Sequence, residues 1–217
     1  MEITKIEKTK KGRYAIFIDG EFSFSLFSDQ LYSEKLKVGT RLSLEEKDAI
    51  YKRSMLYFLK IKALSLLGKH AYTEKQLYDK LITYAPENNE FVLEICKQMK
   101  DVGFIDDECY AQAKAEYFYK YKGYGKYRIY TYLTNKGIAP DAAKNACDIL
   151  EPADNIARIT KIIEKKYEKK FLSIADGKSF SKAKASVLAS IVRMGYSFLD
   201  AKTALLNYLE DNNISYK

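Results

Sequence analysis

The chain has 217 residues, 47% of them hydrophobic, which suffices for folded cores and excludes a wholly disordered protein. A formal net charge of +8 favours an anionic partner, either nucleic acid or an acidic protein surface. Three cysteines with no CxxC pair, and a single histidine (His70), argue against a zinc site and fit a reducing cytoplasm.

The N-terminal Met1-Glu-Ile-Thr-Lys5 lacks the apolar core of a signal peptide. No apolar run approaches the roughly 20 residues needed to span a bilayer. A cytoplasmic protein without a membrane partner is expected. Residues 1–50 read as a small β region. Tyr14 to Ile18 and Glu21 to Leu26 are short strands flanking Asp19-Gly20, a pair suited to the positive φ of a tight hairpin turn. Ile3 and Ile6 supply a third strand. Phe22, Phe24 and Leu26 alternate with Ser23 and Ser25, which predicts one apolar face. So small a sheet needs cover, from the first helix or from a partner.

From Leu44 the hydrophobic period becomes helical. Leu56, Leu59, Ala63, Leu66 and Leu67 form a stripe that stops at Gly68. Thr73 and Gln76 make a capping box for a helix burying Leu77, Leu81 and Ile82. Val92, Ile95, Cys96 and Met99 line a third helix, closed by Gly103. A second triplet opens with Asp106 as N-cap and Asp107 in the first turn. Its first stripe is Tyr110, Ala113, Tyr117, Phe118 and Tyr121. Ile129 and Leu133 follow, with a stop at Gly137. Pro140 suits the start of the next helix, lined by Ala143, Ala146, Cys147 and Leu150 and ended by Pro152. The third triplet carries Ile156, Ile159, Ile163 and Tyr167. Then comes a helix capped by Ser181 that buries Leu188, Ile191 and Val192 and stops at Gly195. Ala201, Leu205, Tyr208 and Leu209 make the last stripe.

These triplets repeat in register. Tyr72, Leu77 and Leu81 shift onto Tyr124, Ile129 and Leu133, and Lys126, Ile129 and Gly137 onto Lys184, Val187 and Gly195. The expected fold is mainly α: elongated tandem three-helix repeats after an N-terminal β-hairpin region. The expected boundaries are 1–50, 51–104, 105–152 and 153–217, with touching repeats that keep some freedom to bend.

Two basic clusters carry the chemistry. Lys120, Lys122, Lys126, Arg128 and Lys136 interleave with Tyr119, Tyr121, Tyr124 and Tyr127. Lys165, Lys166, Lys169, Lys170, Lys182 and Lys184, with Lys161 and Lys178 beside them, form the second. Cations neutralise phosphates, and tyrosine rings stack on bases or on arginine. Tyr117 and Tyr121 are expected in the core because they share a stripe with Tyr110. Around Gly177-Lys178-Ser179 the leading glycine of a phosphate loop is missing, since residue 172 is Leu. Asp106 and Asp107 lack a third ligand at useful spacing, so a metal-dependent nuclease has little support. No catalytic residue, cofactor or metal is expected.

Three stretches carry a family resemblance. They are Tyr72-Thr-Glu-Lys-Gln-Leu77 with Leu81, Val102-Gly103-Phe-Ile-Asp106-Asp107-Glu-Cys-Tyr110-Ala111, and Tyr124-Gly125-Lys-Tyr-Arg-Ile129 running to Gly137-Ile138. In order and spacing they resemble the RecX family, regulators of the RecA recombinase. Lys69-His-Ala-Tyr-Thr73 departs from the arginine-bearing motif frequent there. The resemblance implies a modular helical-repeat protein of the SOS response, DNA repair and recombination. It implies binding in the groove of the RecA–single-stranded DNA filament and modulation of filament extension, strand exchange and ATP hydrolysis, without enzymatic activity. A monomer is expected. The alternative is a helical-repeat nucleic-acid-binding protein independent of RecA.

Overall fold

The structure, a computed structural model, describes residues 1–150, 154–172 and 177–214. The expected end of the second triplet at Pro152 lies outside the described residues. The chain divides into two units, Met1–Ile105 and Asp106–Lys217.

The first unit begins with an antiparallel sheet of β1 (Ile3–Lys8), β2 (Tyr14–Ile18) and β3 (Glu21–Leu26), in that order. Asp19 and Gly20 take φ of 49° and 91°, the tight turn expected between β2 and β3. The single apolar face does not survive intact. Pairing runs Ile16 to Phe24 and then Phe17 to Phe22, so β3 carries an extra residue at Ser23. That bulge turns Phe22 over: it is 61% exposed and meets Phe17 edge-on, while Phe24 and Leu26 stay buried.

A short helix α1 (Ser28–Ser33) leads to α2 (Leu44–Leu67), started by a Ser43–Glu46 capping box. The sheet's cover comes from within the chain. Ile3, Ile16, Phe24 and Leu26 share a core with Leu36, Leu42 and Ile50 of α2. Arg13 fastens the same joint. Its guanidinium lies 5.2 Å from the Phe27 ring and 4.6 Å from that of Phe58 on α2, and it donates to the Ser25 carbonyl.

Next come α3 (Glu74–Leu81) and α4 (Asn89–Asp101). Thr73 and Gln76 form the predicted capping box, each side chain accepting from the other's amide at 3.1 Å. Leu59, Ala63, Leu77, Leu81, Val92, Ile95 and Met99 close the core of these three helices. Gly103 stops α4 at φ 78°.

The second unit contains α5 (Asp107–Tyr117), a π-turn (Phe118–Lys122), α6 (Lys126–Asn135) and α7 (Pro140–Asp148). These are followed by α8 (Asn155–Leu172), α9 (Gly177–Arg193) and α10 (Phe198–Asp211). Each triplet has its own core. One holds Tyr110, Ala111, Ala115, Tyr119, Ile129, Leu133 and Ala143; the other holds Ile159, Ile163, Val187, Ile191, Leu205 and Tyr208.

Three expectations fail here for definable reasons. The inward face of α5 runs through Ala111, Ala115 and Tyr119, four apart, and not through Ala113, Tyr117 and Tyr121. Small alanines let the helices approach, while the larger tyrosines flank them; Tyr121 is 77% exposed and Tyr119 only 6%. Ser181 does not cap α9, which starts at Gly177, because Phe180 packs on Phe171 and extends the helix backwards. Val192 is exposed because it sits about 140° around the helix from Val187.

Candidate nucleic-acid interface

Asp106 has a structural task. Its Oδ1 accepts from the Cys109 amide at 2.8 Å as the N-cap of α5, with Asp107 and Glu108 in the first turn. Among the described residues no three His, Cys, Asp or Glu side chains converge as a metal site. Asparagine caps a helix as well as aspartate does. Asp106→Asn is therefore expected to leave thermal stability nearly unchanged, while Asp106→Ala costs about 1 kcal/mol. An equal loss in both variants would mean that the carboxylate does more than cap. Behind this turn, burial first and then the hydrogen bond with Tyr132 push the Tyr110 phenol up. Burial also raises the Cys96 thiol to about 11, and raises that of Cys147; Cys109 is exposed.

The first basic cluster separates into outward and inward members. Lys120 pairs with Glu116 on the surface, and Lys122 lies 5.8 Å from the exposed Tyr117 ring. Tyr121 and Tyr127 project into solvent, Tyr127 because it lies opposite buried Ile129 on α6. Lys126 turns inward and donates to the Leu150 carbonyl at 3.2 Å. Lys136 lies 5.6 Å from the Tyr132 ring. Tyr124 is half-buried, stacked on Phe118 with ring centroids 5.5 Å apart. Arg128 lies 4.0 Å from its ring and donates from Nη1 to the Arg193 carbonyl at 2.9 Å.

The lysine-rich segment divides as well. Ile159, Ile163 and Phe171 face the core of the third triplet. Lys165, Lys166 and Lys169 are exposed on α8 and make no ion pair with a described residue. By helical spacing they continue the flank of α8 that carries Arg158 and Ile162, with Glu164 and Glu168 on the other side. Lys170 donates to Ser186 Oγ at 2.9 Å. Lys182 and Lys184 point about 200° apart and cannot share one face; Lys184 lies 5.4 Å from the Phe180 ring.

A joint between the two triplets of this unit ties the turn after α5 and the start of α6 to the start of α8 and the end of α9. The Gly125 amide, at the N-cap of α6, donates to the Met194 carbonyl at 2.8 Å. The backbones touch so closely that a Cβ on Gly125 would lie 2.3 Å from the Gly195 oxygen. Arg158 on α8 donates from Nη2 to the Tyr119 carbonyl and stacks on the Tyr119 ring, 3.7 Å from its centroid. Its Nε donates to Tyr196 Oη at 2.8 Å, and that hydroxyl donates to the Gly123 carbonyl at 3.1 Å. Burial keeps the Tyr196 phenol protonated, raising it despite the opposing influence of Arg158. Ile162 packs where a Gly123 Cβ would reach it at 3.4 Å.

Arg158 and Tyr196 escaped the sequence reading. The available signal was Gly-Tyr after a helix stop, shared by Gly123-Tyr124 and Gly195-Tyr196. Gly137, the other repeat glycine, takes φ 89° at the end of α6, matching 94° at Gly195.

The fold and this surface define a tandem helical-repeat protein with a small N-terminal sheet and a basic, tyrosine-rich face. Residues 1–43 match the model of the regulatory protein RecX N-terminal domain. The regulatory protein RecX of Clostridioides difficile is 29% identical over 169 residues, 77% of this chain and 79% of that protein. Its counterpart in Clostridium acetobutylicum is 28% identical over 215 residues, 97% of this chain and 98% of that one. A crystal structure of regulatory protein RecX shares the fold with a TM-score of 0.64 at 24% identity, covering 94% of this chain and 98% of the other. RecX from Lactobacillus salivarius does so at 0.59 and 19% identity, covering 71% and 96%. Over nearly its whole length the chain is thus similar to regulatory proteins RecX, whose fold it shares. Among its described residues no helix is long and apolar enough to cross a membrane.

Proposed function

We propose that this protein is a non-enzymatic regulator that binds the RecA–single-stranded DNA filament in its groove and restrains filament extension, strand exchange and DNA-dependent ATP hydrolysis. The observation that carries the reading is the second unit's surface. Lys165, Lys166 and Lys169 stand exposed on the flank of α8 that meets the turn bearing Lys120, Tyr121 and Lys122. Exposed cations gain from counterion release on a polyanion, and exposed rings stack on unpaired bases. Arg128, though exposed, and Lys126 spend donors on the Arg193 and Leu150 carbonyls, and the other outward lysines and Tyr127 make the contacts. The RecA partner rests on the similarity to RecX proteins.

The test adds the purified chain to RecA on a single-stranded oligonucleotide at substoichiometric ratios and follows ATP hydrolysis. In parallel it measures affinity for bare DNA and for the filament. Slowed hydrolysis with tighter filament binding is expected. Equal affinity for DNA and filament favours the RecA-independent alternative; failure to bind either defeats both.

A further inference from the structure

The joint within the second unit is built by exchange of helix caps. An α-helix leaves its last carbonyls without internal partners, and cations placed there also gain from the helix dipole. The end of α5 and its π-turn presents the Tyr119 and Gly123 carbonyls, and both are answered from the next triplet, by Arg158 and Tyr196. The end of α9 presents the Arg193 and Met194 carbonyls, and both are answered from the preceding triplet, by Arg128 and the Gly125 amide. Each triplet therefore completes a helix terminus of the other. A half-buried guanidinium with two acceptors and a ring beneath it has few alternative placements, and lysine cannot reproduce them.

We infer that Arg158 is a positioning residue: by capping the end of α5 in trans it holds the two triplets at one angle, so that the lysine flank of α8 and the Lys120–Lys122 turn engage the same nucleic-acid strand as a single site. The inference rests on the DNA-binding reading given above. Two clusters 45 residues apart in sequence, counted from Lys120 to Lys165, thereby act as one through a cation that need not touch DNA.

The experiment uses the full chain with spin labels on native Cys109 in α5 and on N207C in α10, both exposed positions; Cys96 and Cys147 are buried. Distance distributions are recorded without DNA for the otherwise unaltered protein, R158A, R158K and Y196F, with helical content checked by circular dichroism. The salt dependence of oligo(dT) binding is then measured. The expected result is one narrow distance for the parent and a broadened one for R158A and R158K. Their log affinity against log salt should flatten by about 2, the share of three lost lysine–phosphate contacts. Y196F keeps the ring and loses the hydroxyl, and should fall between. If Arg158 were only one more phosphate contact, R158A would flatten the slope by about 0.7 and R158K would match the parent; either result overturns the inference. So does an unchanged distance in R158A, or a broadened distance with an unchanged slope. A parent protein that fails to bind oligo(dT) overturns the DNA-binding reading and the coupling with it, while the label distances still judge the joint.

Discussion

Gly125→Ala is expected to destabilise the second unit by about 4 kcal/mol, a large part of what a domain of this size has to lose. The new methyl would sit 2.3 Å from the Gly195 oxygen, 2.5 Å from its carbonyl carbon and 2.9 Å from the Tyr196 nitrogen. All three are backbone atoms, so no side chain can rotate away and the triplets must part. Parting breaks the amide bond to Met194 and uncovers the carbonyls that Arg158 and Arg128 satisfy. Gly195→Ala combines a similar clash, 2.5 Å from the Arg128 nitrogen, with a φ of 94° that disfavours any side chain. Gly103→Ala is the control. It shares a positive φ, 78°, but its methyl would meet nothing within 4 Å, so only the backbone cost of about 1 to 2 kcal/mol applies. Hydrogen exchange at the Ile129 and Val187 amides, both deep in the second unit, reads the loss locally. A cost for Gly125→Ala no larger than that for Gly103→Ala would mean that the close approach is not sustained in solution, since Gly125, at φ -74°, carries no backbone penalty of its own.

Reversing the lysine flank of α8 is the second large effect. The triple variant K165E/K166E/K169E is expected to weaken binding to single-stranded DNA on the order of 100-fold near 0.1 M salt, since three cations become three anions facing phosphate. Folding should be little altered, because all three side chains are exposed and none pairs with a described residue. K184E provides the contrast. That residue lies over Phe180, on the opposite side of α9 from Lys182, and reversing it should change affinity only a few-fold through the longer-range field. Fluorescence anisotropy with a labelled oligonucleotide at several salt concentrations measures both. A K184E defect matching that of the triple variant would mean that net charge, and not the α8 flank, governs binding.

What could be read from sequence was what local chemistry determines. The Asp19-Gly20 turn, the Thr73–Gln76 box, the Asp106 cap and the Pro140 start each depend on residues within a few positions, and each lies where its spacing puts it. Leu77, Leu81, Ile129, Leu133 and Val187, matched by the repeat, are fully buried. The misreadings have a common origin in phase. One extra residue at Ser23 inverted Phe22. On α5 the aromatic residues looked like the core because they are the larger apolar groups, whereas the alanines mark the close contact. The basic residues were harder, because a cation's role is set by partners distant in sequence. Arg128 finds its acceptor 65 residues away and Arg158 finds its own 39 and 38 away. No spacing rule separates such a lysine or arginine from one that waits for phosphate.

Arg13 sets a limit on how the molecule can be shortened. Its guanidinium fills the gap between Phe27 and Phe58, and Ile50 completes the hydrophobic filling beneath the strands. A truncated version beginning at Ser43 would keep every helix from α2 onward yet leave oily flanks on α2 facing water, inviting self-association. Anyone dissecting this protein should therefore cut after Ile105 rather than before α2, treating the opening strands as part of the first helical brick's foundation.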